Sequence, residues 1–388
     1  MKFRYSQWTP ESATDEQRLQ QMVSLFSYLV VQTSGDVQEA LEWLKQLAEE
    51  YGLFDESMTM DDLIDKMREM GIIEEATEGL SLTTKGVQRI RQDALREIFT
   101  SLKKAPPGAH ETPYIGRGVE RQSETRKFTF GDHPTDIDLT STLSNAFRRD
   151  GIDDFTLKEE DLEVYESEHQ TTCATVVLLD MSGSMDRYGK FYHAKKVALA
   201  LQGLIRGRYP EDSIKFIGFY TYASPLTERA LLHAAPKPVS IFDSRVFLRV
   251  PLDNPPDFVP EHFTNIQAGL RFARNHLQKQ AAANKQIICI TDGEPTAHLE
   301  QRELVLVYPP SERTAKHTLT EVQACTQAGI QISTFALIED YFYTGLVNFV
   351  DQMARASRGL AVYCHAGELG RCVLEGFVRG RHTRKQMG

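Results

Sequence analysis

A chain of 388 residues is long enough for two domains, because a single hydrophobic core rarely serves more than about 250 residues. Its 41% hydrophobic and 25% charged residues are ordinary for a globular protein, and proline and glycine are too few for a chain disordered throughout. The net charge of −10, most of which comes from the first hundred residues, opposes binding to nucleic acid phosphates.

The N-terminus and the cysteines predict a cytoplasmic protein without membrane insertion. The first residues contain no uninterrupted apolar segment of the kind found in signal peptides, and the best apolar run, Met22 to Val31, is shorter than a membrane span. The five cysteines are odd in number, widely spaced and without a C-x-x-C pair, as expected of reduced, buried thiols.

Apolar periodicity predicts that residues 1–103 form a smaller, mainly helical domain. The predicted elements are helices at Asp15 to Gln32, Asp36 to Tyr51 and Met60 to Met70, a hairpin at Gly71 to Leu82 with its turn at Thr77 to Gly79, and a helix capped by Thr84 that ends near Leu102. This order resembles a winged helix, a fold that often binds DNA. The segment Asp61 to Glu69 holds more acidic than basic residues, so we expect a protein-contact or structural role instead.

The sequence that follows is polar. From Lys103 to about Pro134, prolines and glycines are frequent and apolar anchors are few, which is typical of a linker or an extended segment. A short helix at Thr140 to Arg149 and a strand ending at Val164 and Tyr165 come next, so residues 104–170 are interpreted as a linker and lead-in segment. Residues 381–388 are expected to form a solvated basic tail.

Residues 171–380 are predicted to form an α/β domain. Near-continuous apolar strands alternate there with amphipathic helices, which is typical of a doubly wound, mostly parallel sheet with helices on both faces. The predicted strands are Ala174 to Leu179, Ile214 to Phe219, Gln286 to Ile290, Ile330 to Leu337 and Leu360 to Tyr363. Sheets of this type bind ligands at the carboxyl ends of their strands.

An acid and two hydroxyls, Asp180, Ser182 and Ser184, directly follow the first of these strands at intervals of two residues. This D-x-S-x-S pattern resembles the metal-ion-dependent adhesion site (MIDAS) of von Willebrand factor A (VWA) domains. Two further parts occur in the expected order, since Thr264 precedes a sheet-covering helix and Asp292 follows a strand. Three loops at one rim of one sheet are much harder to obtain by chance than a single motif.

The resemblance implies a metal site made of oxygen ligands. Ser182 and Ser184 would bind the metal directly, Thr264 directly or through water, and Asp180 and Asp292 mostly through water. Such a donor set suits Mg²⁺, with Mn²⁺ or Ca²⁺ as substitutes. Two carboxylates that are not fully engaged leave the divalent charge undercompensated, so an Asp or Glu of a partner protein is the expected sixth ligand.

Each of these residues also has an ordinary structural explanation. The two serines and Thr264 are typical helix caps, and Asp292 with Gly293 is a typical turn. Two nearby acids, Asp186 and Glu294, either act on the site or are simply exposed on the surface. The nearby His298 is expected in a loop.

A closer resemblance concerns stand-alone bacterial VWA proteins, which share the block Thr291 to His298 and a lead-in like that from Phe130 to Val164. That group is similar to the VWA part of magnesium chelatase D subunits and of carbon-monoxide dehydrogenase maturation factors, which work with hexameric AAA+ ATPases of the MoxR and chelatase type. The resemblance therefore implies such an ATPase as partner. The sequence departs from chelatase D subunits because it has neither their AAA-like domain nor their long acidic, proline-rich linker, which argues against metal insertion into porphyrins.

The favoured hypothesis is a non-enzymatic interaction module, an adaptor or subunit of an AAA+ remodelling system, that binds an acidic residue of its partner through bound metal. One alternative is a metal-dependent hydrolase or phosphatase. Against it, Ser182 stands where a haloacid-dehalogenase-type phosphatase needs a second aspartate, and H-E-x-x-H, G-x-S-x-G and Walker sequences are absent. The other alternative is a scaffold that binds through the acidic N-terminal helical domain.

Overall fold

A computed structural model of the chain describes residues 15–54, 58–76, 79–102, 121–128, 137–151, 156–167, 172–339, 344–357 and 359–374. By their contacts they form two compact units, one from Met1–Pro106 with Cys173–Arg379 and one from Pro107–Thr172 with Gly380–Gly388. The domain boundaries placed at residues 103, 170 and 380 stay predictions. The turn residues Thr77 and Glu78, the segment Phe130 to Asp132, most of the linker and the basic tail lie outside the described residues.

The N-terminal region has the predicted order of elements. These are helices α1 (Asp15–Gln32), α2 (Val37–Tyr51) and α3 (Met60–Glu69), the antiparallel strands β1 (Ile73–Ala76) and β2 (Gly79–Leu82), and helix α4 (Thr84–Leu102). One detail differs, because the cap of α4 is Thr83 and not Thr84. The Thr83 hydroxyl accepts a hydrogen bond from the Gly86 amide at 3.0 Å, which satisfies one of the free N–H groups of the first turn.

The smaller unit contains strand β3 (Arg121–Lys127), helix α5 (Leu139–Asp150), a 3-10 turn (Glu159–Asp161) and strand β4 (Glu163–Ser167), with β3 and β4 antiparallel. The helix and the second strand were predicted. Strand β3 lies in the part that was predicted to be a linker or an extended segment, and its pairing with β4 was not predicted. Its residues are nearly all polar, so apolar periodicity gave no signal for a strand.

The rest of the larger unit is the α/β part of the chain. Its strands are β5 (Cys173–Asp180), β6 (Ser213–Phe219), β7 (Ala223–Leu226), β8 (Val246–Pro251), β9 (Asn284–Thr291), β10 (Ala297–Glu300), β11 (Glu303–Tyr308), β12 (Ile330–Leu337) and β13 (Ala361–Cys364). Its helices are α6 (Lys190–Arg208), α7 (Glu228–His233), α8 (Ile266–Leu277), α9 (Glu312–Gln327) and α10 (Thr344–Ser357). Short 3-10 segments cover Gly183–Gly189 and Ala366–Glu368.

Six of these strands form the central sheet in the order β13-β12-β9-β5-β6-β7, and every pair is parallel except β6 and β7. All five predicted strands belong to it, which confirms the mostly parallel sheet. A second, antiparallel sheet of order β10-β11-β8 was not predicted, because its strands are short and interrupted by charged residues.

Strand β5 shows why both faces of the central sheet are covered. All eight of its residues are buried. Val177 and Leu179 pack with α6 and the N-terminal helices on one face, whereas Val176 and Leu178 pack with α8, α9 and α10 on the other. Alternate side chains of a strand point to opposite faces, so a strand that is apolar throughout requires two covering layers.

Helix α6 joins the N-terminal helices to the sheet. Apolar side chains of α1, α4 and α6 share one core. Lys196 of α6 forms an ion pair with Glu97 of α4, and Arg91 of α4 forms one with Glu228 of α7. Lys195 of α6 lies inside this helical contact and is 1% exposed. Its ammonium donates to the Val31 and Leu232 carbonyls, and burial lowers its pKa to about 8.

The cysteines agree with the predicted reduced state. All five cysteines are in the thiol form and not in disulfides, four of them buried and Cys372 half-buried. Among the described residues, each helix is too short or too polar to cross a lipid bilayer.

Candidate metal centre

Two carboxylates meet at one rim of the central sheet. Asp180 is the last residue of β5, and Asp292 follows the last residue of β9. These strands are parallel neighbours with Leu179 opposite Ile290, so their carboxyl ends lie side by side. We call Asp180, Ser182, Ser184, Thr264 and Asp292 the rim cluster.

Asp180 is completely buried, and both of its carboxylate oxygens accept hydrogen bonds. Oδ1 accepts from the Ser182 amide at 2.9 Å, and Oδ2 accepts from the Thr291 hydroxyl at 2.5 Å. Burial raises the pKa of Asp180 to about 7, the negative charge of Asp292 adds to this rise, and the hydrogen bonds from Ser182 and Thr291 oppose it. The carboxylate is therefore held in place by the protein itself.

The two serine hydroxyls point towards the second carboxylate. Ser182 Oγ lies 3.2 Å from Ser184 Oγ, and Ser184 Oγ donates to Asp292 Oδ1 at 2.7 Å. Ser182 and Asp292 are almost fully buried, whereas Ser184 is exposed. The loop after β5 and the loop after β9 thus bring their oxygens together beside one opening to solvent.

Thr264 reaches the same rim from the loop before α8. Its amide donates to the Thr296 hydroxyl at 2.8 Å, and its carbonyl accepts from the Thr296 and Ala297 amides at 3.0 and 3.1 Å. These bonds tie it to the segment after Asp292. A Cβ atom built on Gly293 would lie 3.7 Å from the Thr264 hydroxyl, so this hydroxyl lies beside the Asp292 loop.

The ordinary structural explanations do not account for these oxygens. Ser182 precedes the 3-10 turn but makes no capping bond with its side chain. Asn265, not Thr264, caps α8 by accepting from the Ala268 amide. The turn at Gly293 is closed by the Thr291 hydroxyl, which accepts from the Gly293 amide, and not by Asp292.

Sequence reasoning missed Lys190, the first residue of α6. Its ammonium is 2.9 Å from Asp292 Oδ2, and both side chains are buried. Tyr188 and Gly189 before it adopt left-handed conformations with φ of 57° and 64°, which turn the chain sharply into the helix. The sequence signal was a Gly-Lys pair at the start of the helix that follows the D-x-S-x-S loop. Thr291 was also missed, although it directly precedes Asp292.

Neighbouring chain segments press closely on the loop after β5. The Gly183 amide donates to the His262 carbonyl at 3.1 Å, and the Lys237 amide donates to the Met181 carbonyl at 2.8 Å. A Cβ on Gly183 would lie 2.6 Å from a Val239 methyl group, so only glycine permits this approach. The positions of Ser182 and Ser184 are therefore fixed from outside the loop as well.

The remaining predicted residues have different places. Asp186 is exposed and Glu294 is half-buried, with its carboxylate against Gly345 and its pKa raised by burial. His298 was expected in a loop, and this was wrong. It lies in β10 and is 1% exposed, because the antiparallel sheet that contains it was not predicted.

The donor chemistry of the rim cluster fits a hard divalent cation. Its side chains offer hydroxyl and carboxylate oxygens, which are the donors that Mg²⁺ and Ca²⁺ prefer, and they offer no nitrogen or sulfur. The Lys190 ammonium beside it stabilises Asp292 and adds a positive charge that a bound cation would have to tolerate.

Comparisons with known proteins agree with this fold. A family model for the vWA domain of Rv0959-like proteins matches residues 173–378, and one for their third domain matches residues 120–167. The uncharacterized proteins Rv0959 of Mycobacterium tuberculosis and Mb0984 of Mycobacterium bovis are each 28% identical over 381 residues, covering 96% of this chain and 52% of theirs. The chain therefore spans about half the length of these curated relatives.

Two pilus proteins are among the similar solved structures. The vWF domain of the type V pili tip protein Mfa5 from Porphyromonas gingivalis is 14% identical, with a TM-score of 0.38, over 56% of this chain and 97% of that chain. The PilB minor pilin from Streptococcus sanguinis is 14% identical, with a TM-score of 0.40, over 58% and 66%. Because the vWA model matches more than half of the chain and includes every residue of the rim cluster, the chain belongs to the Rv0959-like family of vWA-domain proteins.

Proposed function

We propose that the rim cluster binds one divalent cation, Mg²⁺ with Mn²⁺ or Ca²⁺ as substitutes, and that the protein thereby binds an acidic side chain of a partner protein. The observation that carries this proposal is the 2.7 Å hydrogen bond from Ser184 Oγ to Asp292 Oδ1. It joins two loops through a hydroxyl and a carboxylate that serve no cap or turn. Ser182, Ser184 and Thr264 would hold the cation, with Asp180 and Asp292 acting mostly through water.

The hydrogen bonds support this division of roles. Both oxygens of Asp180 already accept bonds from the protein, and Asp292 is shared between Ser184 and Lys190. Neither carboxylate is free to chelate the cation with both oxygens, which favours contact through water.

The charges explain why an acidic ligand is expected. The two carboxylates and the Lys190 ammonium leave one net negative charge, so a divalent cation gives the cluster one net positive charge. Bound there, the cation supplies an open coordination position for an anionic oxygen. Ser184 is the exposed member of the cluster, so the partner's Asp or Glu would enter beside it.

We further propose that the partner is a AAA+ ATPase of the MoxR or chelatase type, or a substrate presented to one, and that the protein works in the cytoplasm. This part rests on the resemblance of the motif blocks to stand-alone bacterial VWA proteins. vWA domains mediate protein–protein interactions, which agrees with an adaptor role.

Calorimetric titration of the full chain with Mg²⁺ and Mn²⁺ tests the metal site. We expect one site, with affinity reduced about 100-fold or more in Ser184→Ala and Asp292→Asn. Asp186→Asn is the matched control, since Asp186 lies in the same loop but is exposed. Absence of binding at millimolar metal, or equal affinity in Ser184→Ala and the control, would refute the proposal.

Copurification from the native cell with and without chelator tests the partner. We expect a partner that is lost on chelation and lost in Ser184→Ala, but retained by Asp186→Asn. A partner that survives both chelation and Ser184→Ala would contradict docking through metal.

The hydrolase alternative requires Asp180 to have a free carboxylate oxygen. A phosphatase that forms a covalent intermediate needs a carboxylate free to attack, whereas both oxygens of Asp180 are engaged by Ser182 and Thr291. Metal-dependent turnover of a phosphoester by the pure chain, lost in Asp292→Asn, would nevertheless establish it.

The scaffold alternative is best tested by surface charge. Deleting the N-terminal helices would uncover the core that they share with α6, so loss of binding after truncation would say little. Asp61, Asp65 and Glu69 are exposed on α3, and their combined replacement by lysine leaves that core intact. Loss of the partner in this variant, with binding insensitive to chelator, would favour the scaffold.

A further inference from the structure

We propose that His298, Glu300 and His317 form a second metal site, for a divalent cation of the zinc class. We call these three residues the histidine cluster. One ligand atom from each residue lies within 4.8 Å of the other two. The cluster is made of two imidazoles and one carboxylate, so its chemistry differs from the all-oxygen rim cluster.

Strand and helix geometry bring these side chains together. His298 and Glu300 are two residues apart on β10 and therefore point to the same face of the antiparallel sheet. Arg313 and His317 are four residues apart on α9, which packs against β10, so they lie on one side of that helix. The histidine rings stack with centroids 4.5 Å apart.

The main evidence for a ligand is the state of His298. Its side chain is 1% exposed, and neither ring nitrogen has a hydrogen-bond partner among the described residues. Glu300 Oε2 is likewise buried without a hydrogen bond. A buried polar atom without a partner costs about 1–3 kcal/mol, so such atoms in native proteins usually face water or an ion. Here three of them belong to one cluster.

The two oxygens of Glu300 have different surroundings. Oε1 accepts from Arg313 Nη2 at 2.5 Å and lies 3.8 Å from His317 Nε2. Oε2 lies 4.0 Å from His298 Nε2 and 3.6 Å from Arg249 Nη2, while Arg249 makes its shorter contact, 2.7 Å, with Glu303. Arg313 can therefore keep Oε1 while Oε2 binds a metal.

The geometry needs only a small adjustment to close around a metal. Zinc binds imidazole nitrogen and carboxylate oxygen at about 2.0–2.2 Å, which puts tetrahedral donors roughly 3.3–3.6 Å apart. The rings are nearly parallel, 13° apart, so one of them must turn. His317 is the ring that can do so, because its side chain is 32% exposed whereas His298 is enclosed.

The donor types select the metal. Imidazole nitrogen favours Zn²⁺ and related transition metals over Mg²⁺, and three protein ligands leave a fourth position open to water or a further ligand. The competing explanation is that the stacked rings only pack β10 against α9. That explanation requires no metal affinity, so the two are distinguished by a titration.

The test is a titration of the metal-free full chain, with excess Mg²⁺ present to occupy the rim cluster. Co²⁺ is added first, because its visible absorption is intense in a four-coordinate site and weak in an octahedral all-oxygen site, and Zn²⁺ is then added to displace it. The variants are His298→Gln and His317→Gln. His317→Gln changes a partly exposed side chain and guards against a folding defect in the buried variant. The matched control is His365→Gln, because His365 is an exposed histidine beside a carboxylate, 3.5 Å from Glu339.

We expect the wild type to bind one Co²⁺ per chain and Zn²⁺ to displace it. Loss of a group that only orients a metal ligand lowers metal affinity roughly 10- to 100-fold, so His298→Gln and His317→Gln should each lower the Co²⁺ affinity by at least that much. Unchanged affinity is expected in His365→Gln and in Asp292→Asn. Equal affinity in wild type and folded His317→Gln would overturn the proposal, as would absence of the Co²⁺ absorption in wild type. Loss of Co²⁺ binding in Asp292→Asn would assign the ion to the rim cluster and also overturn it.

Discussion

Two of the buried lysines on helix α6, Lys190 and Lys195, have entirely different surroundings. Lys190, at the rim of the sheet, is 2.9 Å from the Asp292 carboxylate. Lys195, one and a half turns further on, faces the N-terminal helices and has only neutral acceptors, namely the Val31 and Leu232 carbonyls and the Ser34 hydroxyl. The exposed fractions are 4% and 1%, so burial is not what separates them.

The difference shows how a candidate metal site and a structural contact are built on one helix. At the rim, opposite charges are paired, and the pairing partner of Lys190 is a carboxylate that a metal could also use. At the helical contact, fixed dipoles surround Lys195, and burial lowers its pKa to about 8. A charge pair can be rearranged when a new ion arrives, whereas a lysine held by backbone carbonyls mainly stabilises the fold.

The largest expected effect is on stability, from Lys195→Ala. Truncation leaves a cavity and removes the donor to two buried carbonyls, so we expect the free energy of unfolding to fall by about 2–4 kcal/mol. Urea unfolding of the full chain measures it, with Lys195→Met as a control that keeps the volume. A fall of less than 1 kcal/mol in the free energy of unfolding, or an accompanying loss of Mg²⁺ affinity, would contradict the distinction between the two regions.

The opposite outcome is expected at the rim, where Lys190→Met should tighten Mg²⁺ binding by about tenfold. Removing a positive charge next to a divalent cation removes repulsion, which exceeds 1 kcal/mol at contact distances even at an effective dielectric constant of about 20. Calorimetry measures the change. Lys237→Met is the control, because Lys237 is half-buried and its ammonium is paired with Glu261, which is not in the rim cluster. Weaker binding in Lys190→Met would mean that Lys190 chiefly orients Asp292.

Mg²⁺ affinity should also depend on pH through Asp180. Its pKa of about 7 lies above its ordinary value of 3.8, so protons compete with the metal near neutrality, and affinity should fall about tenfold from pH 8 to pH 6. In the metal-free chain the sign is opposite, since the stability that Asp180 contributes is complete below pH 3.8 and is lost as pH rises through 7. Calorimetry at several pH values in the wild type and in Asp186→Asn measures the first effect. A flat profile would contradict it.

The smallest expected effect is a pH dependence of stability that arises from Lys195. The pKa of Lys195 is about 8, against an ordinary value of 10.5, so the unfolded chain binds more protons there between these values. The contribution of Lys195 to the free energy of unfolding should therefore rise with pH in this window, by about 1 kcal/mol between pH 8 and 9, and should be lost as pH falls through 8. Unfolding curves of the wild type and of Lys195→Met at several pH values measure this contribution as the difference between their free energies of unfolding. An identical pH dependence in both would show that burial of this lysine costs nothing.

Much of the fold was predictable because its signals are local. Helix α1 has the predicted ends, and β12 has the predicted bounds, since each carries an apolar pattern of the right period and length. Strand β3 and the sheet of β8, β10 and β11 were missed for the opposite reason. Strand β3 is polar and the other three strands are short, so they form strands because they pair with distant strands and not because of a local pattern.

The candidate site divides in the same way. The oxygens of the D-x-S-x-S loop and of Asp292 were named from motif spacing, and these side chains do lie together in the fold. Lys190 and Thr291 were not named, because nothing in a linear spacing says that an ammonium or a hydroxyl will point at a carboxylate a hundred residues away. Their hydrogen bonds to Asp292 and Asp180 follow from the tertiary structure and not from motif spacing.

By itself, the sequence determined the order of the N-terminal elements and of five central strands, the covering of a mostly parallel sheet on both faces and the three loops at its rim. Periodicity and motif spacing are properties of short segments, so they can be read from the sequence. Only the tertiary structure decided which charges face one another. It paired Lys190 with Asp292, enclosed Lys195 among carbonyls and stacked His298 on His317. The physical reason is that electrostatic and metal-binding properties depend on distances of a few ångströms between residues far apart in the chain, and packing alone sets those distances.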